Sequence, residues 1–185
     1  YALLMRNAPA SLRPKLNEHE GFYELLSRNP IAIGPYSRQD VHAMLIQLEK
    51  RHEYPLAESM RDKIYEISGG HPGTVLAVFT SLRKTVEGVP YRSDPRWLAK
   101  EENVKEECRK LLGSLEADEQ IGIVEFAKGN MADASPTIKI LRSKKLLTAA
   151  EGQVPQIFSP IFAAYLQGID LDELKKRLGK PVGQH

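Results

Sequence analysis

The stretch ISGGHPGTVLAVF, residues 67–79, does most to limit what this chain can become. Apolar residues at helical spacing run up to Gly69-Gly70, and a second such run begins at Pro72. One helix must therefore stop and another start within a few residues. Glycine supplies the left-handed cap that ends a helix, and proline at the first helical position starts one at little cost. A plain helix–turn–helix connection explains most of these residues. It does not explain why two glycines and a histidine are needed together.

The flanking pattern is helical as well. Ser37 is an N-cap with Asp40 three residues on, close to a capping box. Val41, Met44, Leu45 and Leu48 follow on one face. A second helix, from near Pro55, buries Leu56, Met60, Ile64 and Ile67, and Gly69 or Gly70 takes its left-handed cap. A third, from Pro72, lines up Val75, Phe79, Leu82 and Val86, and Gly88 closes it. After a linker containing Tyr91, Asp94-Pro95 starts a charged helix running to about Leu112. Ser114 is expected to cap the next helix, which carries Leu115, Ile121, Val124 and Phe126 and ends at Gly129. Ser135-Pro136 opens another, with Ile138, Ile140 and Leu141 facing inward, and Asp133 and Ser135 read as caps. Residues 146–150 and 154–158 flank Glu151-Gly152 as a small hairpin, and Ser159-Pro160 starts IFAAYLQ. Upstream, residues 1–5 (YALLM) and 31–33 read as short strands and residues 21–29 as a short helix. The fold class is mainly α: a helical bundle, then helices and a small β-hairpin in winged-helix order.

Composition narrows the function classes. The net charge of +2 is too small to argue for nucleic acid by itself. The one cysteine, Cys108, excludes an intrachain disulfide and reads as a packed or half-exposed thiol rather than a nucleophile. The five histidines show no metal-ligand spacing, and His42 and His52 are expected on exposed helix faces. No carboxylate pair stands out for acid–base chemistry, so no catalytic residue is assigned. No apolar run approaches the ~20 residues of a membrane span and no signal peptide is visible, so the expected location is cytoplasmic. Trp97 and Tyr91 are expected to pin the two helical units together.

The residues alone favour the plain connection, but the Pro72 helix start would also let a nucleotide be closed over from this side. Its free backbone N–H groups and dipole favour an anion. Gly73 leaves that end sterically open, Pro72 offers a flat apolar surface for a purine, and His71 either donates to a phosphate or caps the helix. A separate candidate is Ser135 to Thr148, where Lys139, Arg142, Lys144 and Lys145 give four cations and no acid. Such a face suits DNA phosphates. Residues 101–185, however, hold 12 Lys+Arg and 13 Asp+Glu, a net of −1, so a solvated face is the favoured meaning.

GGHPGTVLAVF resembles the Gly-x-Pro motif of the STAND class of AAA+ ATPases, with Gly70, His71 and Pro72 at its three positions. IAIGPYSRQDVHAML is similar to the passage leading into that family's helical lid, with Tyr36 in place of the usual leucine. LLMRN resembles the sensor strand, with Arg6 or Asn7 at its polar end, and LGSLEADEQIGIVEFAKG through FSPIFAAYL resembles the following winged helix. The resemblance covers nearly the whole chain and rests on motif order. It implies the end of a nucleotide-binding core over 1–36, a lid over 37–93, a winged helix over 94–168 and a tail over 169–185. It also implies ATP or ADP as ligand, touched by Gly70, His71, Pro72, Gly73, Arg6 and Asn7, with Mg held by a core preceding Tyr1. Implied partners are that core and an oligomer or protein effector, with no membrane.

Two features depart from the family pattern. No GxxxxGK[ST] is present, and Ser159 stands where many relatives carry an ADP-sensing histidine. Hydrolysis would therefore need a longer protein. The alternatives are a DNA-gripping winged helix of an initiator- or transposition-type AAA+ protein, and an interaction scaffold independent of nucleotide.

Overall fold

The computed structural model describes residues 34–84, 93–130, 135–149 and 154–179. The expectations placed on residues 1–33, Val86, Gly88, Tyr91, Asp133 and Glu151-Gly152 lie outside them. The described chain is mainly α. Its helices are α1 (Arg38–His52), α2 (Glu58–Ser68), α3 (Pro72–Arg83), α4 (Pro95–Leu98), α5 (Glu102–Gly113), α6 (Ala117–Ala127), α7 (Pro136–Ser143), α8 (Pro160–Gln167) and α9 (Leu171–Arg177). Two short strands, β1 (Leu147–Thr148) and β2 (Gln156–Ile157), pair antiparallel between α7 and α8, with Leu147 opposite Ile157.

Local chemistry accounts for most helix ends. Ser37 and Asp40 form a full capping box at α1. Asp94 accepts from the Arg96 N–H and Ser159 from the Phe162 N–H, each with proline at the first helical position. Asp170 caps α9 by accepting from the Asp172 and Glu173 N–H groups.

Four expectations need correction. The charged helix is two helices, broken between Leu98 and Glu102. On one continuous helix Leu98 and Val104 would stand about 120° apart, whereas the break lets both enter the core fully buried. Ser114 ends α5, donating its hydroxyl to the Leu111 carbonyl, and the N-cap position of α6 belongs to Glu116, whose N–H is accepted by Glu119. Ile140 is exposed, because α7 buries only Ile138 and Leu141. His42 and His52 are half-buried: His42 Nε2 lies 2.8 Å from Asp62 Oδ1, and the His52 ring packs 5.9 Å from that of Phe79.

One hydrophobic core runs through residues 41–174, continuous across the 93/94 boundary. At its centre lies α8, which contacts α2, α4, α5, α6 and β2. Ile161, Phe162 and Leu166 of α8 are fully buried, as expected of a helix with so little polar surface. Helix α3 packs mainly on α5, with Val75, Val78 and Phe79 buried.

Candidate functional site

The GGHPG turn is a crossing point of three chain segments. Gly69 caps α2 at φ 62° and Gly70 follows at φ 76°, both left-handed. Each glycine also lies beneath a different backbone. A Cβ on Gly69 would strike the Phe158 carbonyl, 2.7 Å from its carbon and 2.8 Å from the Phe158 ring. A Cβ on Gly70 would strike the Tyr36 carbonyl oxygen and come within 3.3 Å of Pro35. Two glycines are needed because two chains approach, residues 35–36 on one side and Phe158 on the other.

Hydrogen bonds fix both approaches. The Tyr36 N–H donates to the Gly70 carbonyl at 2.9 Å. Ser159, fully buried, donates its hydroxyl to the Ile67 carbonyl at 3.1 Å while accepting from the Phe162 N–H at 3.2 Å. That hydroxyl satisfies one of the orphan carbonyls of α2 and one of the orphan N–H groups of α8 at once. Ser159→Ala is expected to cost about 1–2 kcal/mol, from a lost cap plus an unpaired buried carbonyl. Urea unfolding checks this; an unchanged midpoint would show that neither bond matters.

His71 is a cap. Its Nδ1 accepts from the Thr74 N–H at 3.2 Å, which requires a neutral ring protonated at Nε2. Burial lowers the affinity of the imidazole for a second proton, and the Glu107 carboxylate opposes that shift. The ring packs edge-on against Phe158, at 6.3 Å between centroids. Phe158 in turn meets Phe162 at 6.0 Å, and Phe162 stacks on Tyr165 at 6.4 Å.

The start of α3 is not open. The space over Gly73 is filled by Glu107 of α5, whose carboxylate a Cβ there would overlap. Glu107 also pairs with Lys110 at 3.4 Å. A carboxylate thus already lies at the positive end of α3, where such a charge is stabilised. Pro72 is half-buried beside it. Gly70, His71, Pro72 and Gly73 are contiguous here, while Arg6 and Asn7 lie outside the described residues.

The four cations of residues 135–148 do not form one face. Lys144 is half-buried and paired with Glu119 of α6 at 2.7 Å, and Lys145 adopts a left-handed backbone at φ 60° with its side chain against Gly34. Lys139 and Arg142 are exposed on α7, beside exposed Ile140, and Lys145 is exposed just beyond its end. Cys108 is buried and its thiol is pushed up to about 12, mainly by burial, so it is a packing residue. Among the described residues no cluster of potential metal ligands occurs. No helix there is long and apolar enough to cross a membrane.

Sequence reasoning missed Phe158 and Glu107 as the partners of the turn. Ser159 is legible as a helix start and by its place in a motif, but nothing local in the chain marks its bond to a residue 92 positions away. In comparisons with known proteins, no family model, curated protein or solved structure matches this chain.

Proposed function

We propose that this chain is the lid and winged-helix portion of a STAND-like AAA+ switch. In a longer, cytoplasmic protein it closes over ATP or ADP held mainly, with Mg, by a nucleotide-binding core. Nucleotide state then sets the angle between core and lid, and so the assembly with copies or a protein effector. Hydrolysis belongs to the core, and no residue of this chain is assigned a catalytic step.

The observation that carries the reading is the GGHPG junction. The Gly-x-Pro segment touches both the entry passage, through Gly70 and Tyr36, and the Phe158-Ser159 corner, through Gly69. A ligand resting on Pro72 would press on a point where both are packed. Such a ligand shifts the arrangement only by binding one form better than another. Since Glu107 occupies the start of α3 in this arrangement, the contact expected with nucleotide is apolar, through Pro72, rather than phosphate on the helix N-terminus.

Pro72→Ala is expected to weaken ATP and ADP binding by roughly tenfold in a protein that includes the core, about the worth of one buried apolar contact. Titration calorimetry on that protein and on this chain checks it. Binding only to the longer protein, weakened by the substitution, supports the lid; equal affinity of variant and parent would sink the assignment.

A second reading has one specific observation behind it. Lys139 and Arg142 are exposed on α7, the helix before the hairpin, where a recognition helix would stand. DNA binding there predicts a steep fall in affinity with salt and its loss on replacing both residues.

A further inference from the structure

A cleft of about 980 Å³ opens between α4–α5 and α8–α9, lined by residues that neither the nucleotide reading nor the DNA reading uses. Five cations line it: Arg96 on α4, Lys100 in the turn after α4, Lys105 and Arg109 on α5, and Arg177 on α9. Only two carboxylates do, Asp170 and Glu173, and Asp170 is engaged in capping α9. Residues 94–185 hold 14 Lys+Arg and 14 Asp+Glu, a net charge of zero, so this concentration comes from position rather than composition. Lys105 and Arg109, four apart, share the cleft face of α5, while Glu107 between them turns toward the start of α3.

The cations are largely unneutralised. Arg109 pairs with Glu106 at 2.6 Å. Arg96, Lys100, Lys105 and Arg177 have no carboxylate within ion-pair distance among the described residues. All four are exposed. The Tyr165 phenol lines the same cleft as Arg109 and Arg177, and burial raises its pKa. Arginine forks match carboxylates bidentately. Between these cations the cleft surface is part apolar, with half-buried Ala164, Ile169 and Leu178 along it, while Leu112 and Leu174 line it but are almost fully buried.

We infer that this cleft docks an acidic, amphipathic segment of a partner protein, its carboxylates on the rim cations and its apolar residues on the Ala164–Ile169–Leu178 floor. Charge complementarity selects the sign of the partner, and the apolar floor selects a peptide over a bare polyphosphate. A single-stranded nucleic acid would want open aromatic faces, but the one ring lining the cleft, Tyr165, already stacks on Phe162. This docking site stands apart from the proposed nucleotide role and survives or fails without it.

The probe is a fluorescein-labelled helical peptide of Glu and Leu, with Leu on one face over roughly four turns. Its anisotropy is followed on the full 185-residue chain, with single-stranded RNA and polyphosphate titrated in parallel. The peptide is expected to bind, more weakly as salt rises, and roughly tenfold more weakly when Arg96→Glu and Arg177→Glu are combined. Replacing its leucines by serine, or its glutamates by lysine, is expected to abolish binding. Both mutated side chains are exposed, so circular dichroism should be unchanged; Lys100→Glu serves as a second variant should the pair misfold. Absent peptide binding, affinity indifferent to these substitutions, or tighter binding of RNA or polyphosphate would each overturn the proposal.

Discussion

Gly69→Ala is expected to lower the unfolding free energy by roughly 3 kcal/mol, combining left-handed strain with overpacking against a backbone. The residue sits at φ 62°, and its new methyl would collide with the Phe158 carbonyl, which a flexible side chain would not need to vacate but a backbone must. Relief requires the hairpin end to move off α2, which also breaks the Ser159 to Ile67 bond. Gly113→Ala is the control. It lies at the end of α5 with nothing within 4 Å of a new Cβ, so alanine there should be neutral or up to about 1 kcal/mol stabilising. Urea midpoints of the two variants decide the matter. Similar midpoints would mean that Phe158 does not press on the turn.

Glu49→Ala is expected to cost about 3 kcal/mol, the low end for breaking a sheltered ion pair. Glu49 is 9% exposed and meets Arg61 through two bonds, at 2.7 and 2.8 Å, while also accepting from the Leu56 N–H at 3.2 Å. One carboxylate thus holds the end of α1, the connecting loop and α2 together. The substitution strands the Arg61 guanidinium without its partner and the Leu56 N–H without its acceptor.

The same carboxylate should make stability depend on pH. The Arg61 hydrogen bonds hold the Glu49 pKa below its ordinary value, against burial, with the Leu56 N–H and the Arg61 charge assisting. A depressed folded-state pKa means that the stabilisation is complete above the unfolded-state value, about 4.3. It is lost as pH falls through the lower folded-state value. The gap between the parent chain and Glu49→Gln should therefore be widest near neutrality and shrink below pH about 4. A gap that stayed constant down to the acid limit would show that the pair is not held as an ion pair.

How far the chain could be read without its structure depended on the range of the interaction. The helix starts at Ser37, Pro72, Asp94 and Ser159, and a left-handed cap at Gly69 or Gly70, were legible because capping is settled within three or four residues. The periodic faces of α1 to α3 were legible for the same reason. Errors arose where two local signals competed. Ser114 carries a capping side chain, yet it spends its hydroxyl backwards on Leu111. Ile140 fits a helical apolar pattern, yet α7 has only one buried face and Ile140 lies off it.

The sequence by itself determined a mainly helical chain, the helix starts at Ser37, Pro72, Asp94 and Ser159, and the presence of a glycine-bearing turn at residues 69–73. Only the tertiary structure decided what packs against that turn. Phe158 and Ser159 lie some ninety residues beyond it, and Glu107 arrives from α5. The cleft was hidden in the same way, because its cations come from α4, the turn after it, α5 and α9 and are diluted by carboxylates along the chain. Capping and periodicity act between near neighbours and leave a local trace. Close approach and charge clustering act between segments brought together by burial of the shared core, and no single stretch records them.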